Sequence, residues 1–187
     1  MSGPAGATAA VMASDGQADD GSRHVVSALV VDRPGTLNRV AGLLRARSFN
    51  IESLTVGRTH QADRSRMTIV LRGDDRHTSQ VLAQLNRLVE VLEVSDLTDA
   101  ACVELELALV EIEAPRNDAA RAVVEHALQI AGGELLASGA DAWRLRLAAA
   151  PDAVEAALGA LRGLSLRSLV RAGSVAMAVT TSSSSDR

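Results

Sequence analysis

At 187 residues and 47% hydrophobic content, the chain is long enough to bury one ordinary core or two small ones. Its formal charge of −4 excludes a domain that holds phosphate backbones by bulk electrostatics. With aromatics at 1%, stacking platforms for single-stranded nucleic acid are absent, and a core has to be built from Val, Leu, Ile and Ala.

All 19 basic residues are arginine, so neither a Schiff-base lysine nor a Walker lysine is available. The single Cys102 cannot form an intramolecular disulfide, which fits a reducing compartment. No apolar run approaches the ~20 residues of a spanning helix. The N-terminal stretch MSGPAGATAAVMASDGQADDGS lacks the basic and hydrophobic regions of a secretory signal. The expectation is a cytoplasmic protein with no membrane and no nucleic-acid partner.

Residues 1–22 are rich in Gly, Ala, Ser and Asp without periodicity and read as a disordered tail, as do residues 181–187. Between them lie two units, 23–99 and 100–180. The first opens with HVVSALVV, whose β-branched density marks a buried strand. After a Pro34-Gly35 turn, Leu37, Val40, Ala41 and Leu44 recur at helical spacing. Asn50 to Arg58 reads as the second strand, THQADRS as a polar loop, and Arg66 to Arg72 as the third strand. Gly73-Asp74-Asp75 ends that strand. A second helix then offers Val81, Leu82, Leu85, Leu88 and Val89 as its buried stripe, and Val91 to Leu97 is the last strand.

In the second unit, Val103, Leu105, Leu107 and Leu109 alternate with Glu104, Glu106 and Ala108, as a half-solvated strand does with its leucines inside. The alternation flips at Val110-Glu111-Ile112-Glu113, which implies either a bulge or a strand covered on both faces. Ala119 to Ala131 is a helix closed by Gly132-Gly133, a left-handed cap. ELLAS and AWRLRLA pair as a hairpin around Gly139-Ala140-Asp141, and Pro151 opens another helix ended by Gly163. The final strand falls within Leu164 to Val179. Each unit is thus βαββαβ, an α+β fold with helices on one face of a four-stranded antiparallel sheet, the ferredoxin-like arrangement.

Catalytic chemistry has little to stand on. His24, His60, His77 and His126 show no paired spacing and no nearby cysteine, so they read as ordinary surface histidines and no metal site is expected. No G-x-S-x-G elbow, G-x-G-x-x-G or Walker loop occurs. Glu104 and Glu106 read as a solvated strand face. The stretch DRPGTLNRVAGLLRARSFN, Asp32 to Asn50, is more suggestive. A glycine without Cβ lets a ligand approach the backbone, and the first turn of the following helix leaves amides unpaired, which suits a small carboxylate. A plain helix-capping turn is the competing reading.

DRPGTLNRVAGLLRARSFNIESLTV, then SRMTIVL, then LNRLVEVLEVSDLT resembles the small regulatory subunit of acetolactate synthase, from about His24 to Val179. The resemblance implies that the first unit is an ACT domain, an amino-acid-sensing module, and that two such domains pair edge to edge in a homodimer with effector sites at their interface. The implied effector is a branched-chain amino acid, valine first. The second unit would serve the subunit's own assembly and contact with the large catalytic subunit. That partner would carry thiamine diphosphate, Mg²⁺ and FAD, with no cofactor in this chain.

Carried over by position, Asp32, Gly35, Thr36 and Leu37 form one wall of the effector site, with amides around Gly35 to Leu37 meeting the α-carboxylate. Asn50 and Ile51, from the partner subunit, close it. Asp32 stands where the family commonly has Asn, and Ser48 where a glycine often precedes the aromatic-Asn pair. The alternative is a free-standing ACT-type sensor acting on another protein or on transcription.

Overall fold

Alternating apolar residues condense each unit into a sheet covered on one side by two helices. The computed structural model describes residues 21–46 and 50–179. Of the tails expected over 1–22 and 181–187, residues 1–20 and 181–187 lie outside the described residues, as does Ser48. The first unit runs β1 (Ser22–Val31), α1 (Thr36–Ala46), β2 (Asn50–Arg58), β3 (Arg64–Gly73), α2 (Asp75–Leu85) and β4 (Val91–Asp96). The second runs β5 (Cys102–Glu113), α3 (Asp118–Ile130), β6 (Glu134–Ser138), β7 (Ala142–Ala149), α4 (Pro151–Leu161) and β8 (Leu166–Ala178). The strand orders are β2-β3-β1-β4 and β6-β7-β5-β8, with every adjacent pair antiparallel. The first strand begins at Ser22, inside the stretch expected to be tail, because Ser22 pairs with Gly73.

The first core joins Val26, Ala28 and Val30 of β1 and Met67, Ile69 and Leu71 of β3 to Val40 and Leu44 of α1 and Val81 and Leu85 of α2. Each such side chain contributes roughly 1.5–3 kcal/mol by leaving water. Two expected core residues are exposed. The helix α2 stops at Leu85, and the following turn folds Leu88 onto the core and leaves Val89 90% exposed. Leu37 is exposed because Thr36 takes the buried place at the start of α1.

The larger correction concerns β5. Its inner face is Ala108, Val110 and Ile112, packed with Val124, Ala127, Leu145, Leu147 and Leu158, while Val103, Leu105, Leu107 and Leu109 point outward and are 41–49% exposed. The expected flip is therefore no bulge in β5 against β7, whose register runs unbroken from Glu106 to Glu113; both faces of the strand are apolar. The irregularities lie on the β8 side, between Glu106 and Ala108 and between Glu111 and Ile112. Glu106, expected on a solvated face, is buried. It is tolerated there because Arg171 forks onto it, Nε to Oε1 at 2.6 Å and Nη2 to Oε2 at 2.8 Å. Those hydrogen bonds raise the Arg171 pKa above its ordinary value.

Local chemistry sets the remaining boundaries. Asn117 caps α3 by accepting from the Ala120 amide at 2.8 Å. Gly132, at φ +52°, reverses the chain after it. Gly133 cannot be larger, because a Cβ there would meet the Arg146 carbonyl at 2.7 Å. Pro151 occupies the first turn of α4, where its missing N–H costs nothing.

The two units meet where β8 crosses the face of the first sheet that the helices leave bare. Thr55 and Thr68 are neighbours in register on that face. The Thr55 hydroxyl donates to the Ala172 carbonyl at 3.1 Å, and the Ala176 amide donates to Thr68 Oγ1 at 3.3 Å. Val25, Leu97 and Ala176 form a small buried cluster with Cys102 against it. Arg23 forks onto Glu104, with Nη1 3.1 Å from Oε2. Burial alone would push the Glu104 carboxyl up, but the hydrogen bonds from Arg23 and Ser174 and the Arg23 charge together hold it below the usual carboxylate value.

Candidate functional site

The chain leaves β1 at Val31, and the Thr36 amide closes a four-residue turn by donating to the Arg33 carbonyl at 3.2 Å. Pro34 occupies the second position of that turn. Gly35 occupies the third at φ +92°, where a type II turn requires positive φ. A Cβ on Gly35 would have nothing within 4 Å, so the space beside the backbone is open. Among the described residues, the Gly35 and Leu37 amides have no acceptor, and both stand at the N-terminus of α1.

The expected wall is assembled unevenly. Thr36 is buried, its hydroxyl donates to the Val31 carbonyl at 3.1 Å, and its amide is spent on Arg33, so it positions the turn. Leu37 lies on the open side, 47% exposed. Asp32 donates its amide to the Asp63 carbonyl at 2.8 Å, and its Oδ2 accepts from Arg58 Nε at 3.1 Å. Arg58 was not among the expected residues. Its only sequence signal was that it ends the strand bordering the turn.

Asn50 and Ile51 are not brought to the turn. Val31 pairs with Arg64 at one end of β3, whereas Asn50 pairs with Arg72 at the other. Eight residues of strand separate those positions, about 26 Å. Asn50 is exposed, and Ile51 leans on the core. One chain therefore holds the two halves of the expected site at opposite ends of its sheet. Yet β2 is an edge strand, with β3 its only partner among the described residues. A second β2 added antiparallel to it would carry its own Asn50 to the Arg58 end, beside Asp32 and Gly35.

Comparison with known proteins agrees with this architecture unit by unit. Residues 26–93 match the AHAS small subunit-like ACT domain, and residues 105–180 match the family described as small subunit of acetolactate synthase. The probable acetolactate synthase small subunit of Archaeoglobus fulgidus is 41% identical over 155 residues, 83% of this chain and 96% of that protein. The chain belongs to the acetolactate synthase small subunit family. A second relative, the probable acetolactate synthase small subunit of Methanothermobacter thermautotrophicus, is 39% identical over 82% of this chain and 91% of its own length. The crystal structure of the acetolactate synthase small subunit from Thermotoga maritima superposes with a TM-score of 0.74 at 30% identity, covering 85% of this chain and 98% of that one. Both halves of the candidate site, the turn and Asn50, fall within the matched ACT domain of this family member.

Among the described residues no group of three or more His, Cys, Asp or Glu is placed to hold a metal ion. Against expectation, His24 is buried, with Nε2 3.2 Å from the Gly73 carbonyl. Cys102 sits in the cluster between the units, its Sγ donating to the Leu97 carbonyl at 3.6 Å. Among the described residues no helix is long and apolar enough to cross a membrane.

Proposed function

We propose that this chain is a noncatalytic regulatory subunit that pairs with a large catalytic subunit of acetolactate synthase, raises its activity and makes it sensitive to a branched-chain amino acid, valine first. The observation that carries the reading is that the Gly35 turn and Asn50 stand at opposite ends of a sheet whose edge strand β2 has β3 as its only partner among the described residues. Two ACT domains joined through β2 complete two sites at once, each from one chain's turn and the other chain's Asn50. The open amides of Gly35 and Leu37 suit the α-carboxylate. Asp32 offers a partner for the ammonium, and Leu37 an aliphatic wall.

Effector binding at that edge has a short physical route to the second unit. The strand β2 carries the site on its edge and Thr55 on its outer face, where β8 is seated. An effector that prefers one arrangement of the paired subunits shifts the complex toward it by its differential affinity. Thiamine diphosphate, Mg²⁺ and FAD belong to the catalytic partner in this reading.

The outer face of the second sheet supports a role in assembly. Leu105, Leu107, Leu109 and Val170 form an exposed apolar surface. The charges at its border are paired within the chain, Arg144 with Glu111 and Arg146 with Glu134. A flat apolar face without uncompensated charge fits a second copy of itself.

Reconstitution with a catalytic subunit tests the function. The expected result is faster acetolactate formation on adding this chain, reduced again by valine. A complex whose rate ignores both additions would refute the proposal.

A further inference from the structure

We propose that the cleft between the bare face of the first sheet and the end of β8 binds a small carboxylate with an aliphatic body. The cleft has a volume of about 500 Å³, in the range of small-molecule sites. Its floor crosses three adjacent strands: Arg66 of β3 pairs with Leu29 of β1, which pairs with Glu93 of β4. Leu97 and Met177 supply further apolar wall.

Arg66 identifies the ligand's charge. Arg66 is half-buried, and the one hydrogen bond of its guanidinium among the described residues is from Nη1 to the Ser27 hydroxyl at 2.9 Å. A guanidinium has five N–H donors in a planar fork that matches a carboxylate. Arg23, Arg144 and Arg171 each meet a glutamate, whereas among the described residues Arg66 has none within ion-pair distance. Arg64 lines the same cleft and reaches only Asp63, 3.9 Å away. With Asp63 beside Arg64, Arg66 is the arginine of the lining that has no carboxylate within ion-pair distance among the described residues.

The rest of the lining narrows the class. Leu29, Leu97 and Met177 would lie dry against an aliphatic group, and a bare inorganic anion would leave them unused. A neutral hydrocarbon would leave the Arg66 donors unspent. This cleft lies on the sheet's face and within one chain, so it is separate from the edge site shared between chains, and the proposal stands whatever the edge site binds.

Isovalerate is the probe, because it has a carboxylate and a branched aliphatic body but no ammonium. Calorimetric titration of the full-length chain is expected to show saturable binding, weakened about tenfold or more by Arg66→Gln. Met177→Glu, at an exposed position on the rim, is expected to weaken it similarly by placing a negative charge at the mouth, and it decides the matter if Arg66→Gln perturbs folding. Asn50→Ala should leave isovalerate affinity unchanged. Absence of saturable binding, wild-type affinity in Met177→Glu, loss in Asn50→Ala, or equal competition by inorganic phosphate would each overturn the proposal.

Discussion

Arg58, the last residue of β2, holds its Nε 3.1 Å from Oδ2 of Asp32 in the turn before α1. The pair ties the end of the edge strand to the turn across 26 residues of sequence. Arg58 is 81% exposed, so the contact contributes little to stability, roughly 0–1 kcal/mol. In the proposed effector site its importance would lie in competition, because an amino-acid ligand would bring its own cation to the same carboxylate. Arg58→Ala is therefore expected to tighten valine binding several-fold, and Asp32→Ala to weaken it. Calorimetry on both variants checks this, and a shift of the same sign in both would remove Asp32 from the ligand's contacts.

Asn50→Ala and Gly35→Asp should both abolish valine inhibition of the reconstituted enzyme while leaving activation largely intact. The first removes an amide donor and acceptor from the far half of the site. The second introduces a negative charge into the open space beside the Gly35 and Leu37 amides, at a φ of +92° that also disfavours a side chain. Unchanged valine affinity in both variants would sink the assigned site.

The sequence made the order of elements legible, and the reasons are visible in single residues. Pro34-Gly35, Gly132 and Pro151 mark boundaries by backbone chemistry that tertiary contacts do not override. The inner face of β5 was not legible, because Leu105 and Leu107 are stronger hydrophobes than Ala108. The inner face also carries Glu106, which is tolerated there only through a distant residue, Arg171, that neutralises it. The candidate site could be read as two motifs but not as one place. Gly35 and Asn50 are near in sequence, and only the register of β3 reveals that the turn after Val31 and Asn50 stand at opposite ends of the sheet. Arg58 escaped because an arginine ending a strand is indistinguishable from a solvated one until its partner is known.

Gly173 is expected to separate binding from response. A Cβ there would lie 2.9 Å from Ser53 Cβ and 3.0 Å from Thr55 Oγ1, and its φ is +76°. Gly173→Val should push β8 off β2 and destabilise the chain by roughly 1–3 kcal/mol. If β8 relays the state of β2, valine affinity stays near that of the wild type while inhibition of the reconstituted enzyme weakens. Thermal unfolding and calorimetry, read beside the inhibition curve, test both parts; full inhibition in a destabilised variant would exclude the relay.

Acid should loosen the junction between the units. The folded Glu104 carboxyl lies below its ordinary value of 4.5 because the hydrogen bonds and charge of Arg23, with Ser174, outweigh the opposing effect of burial. A carboxyl with a depressed folded pKa contributes stability that is fully present above the ordinary value and is lost as pH falls through the folded one. Stability should therefore fall below about pH 4.5 more steeply in the wild type than in Glu104→Gln, which lacks the titrating group. Denaturant midpoints measured between neutral pH and the acid limb provide the comparison. Parallel curves for the two proteins would show that the pair adds no pH-dependent stability.

The exposed leucines of β5 predict a dissociation between folding and assembly. Leu107 is 41% exposed and Val170 60% exposed, both directed away from the core formed by Ala108, Val110 and Ile112. Replacing them with Asp removes no core contact, so the isolated fold should keep its stability to within about 0.5 kcal/mol. The same charges would have to be desolvated if this face meets a second copy, at a cost of several kcal/mol. Leu107→Asp with Val170→Asp is thus expected to leave circular dichroism and valine binding by the ACT pair intact while lowering the mass measured by light scattering or weakening the self-association constant by orders of magnitude. Unaltered self-association would mean that this apolar face is not where two copies meet.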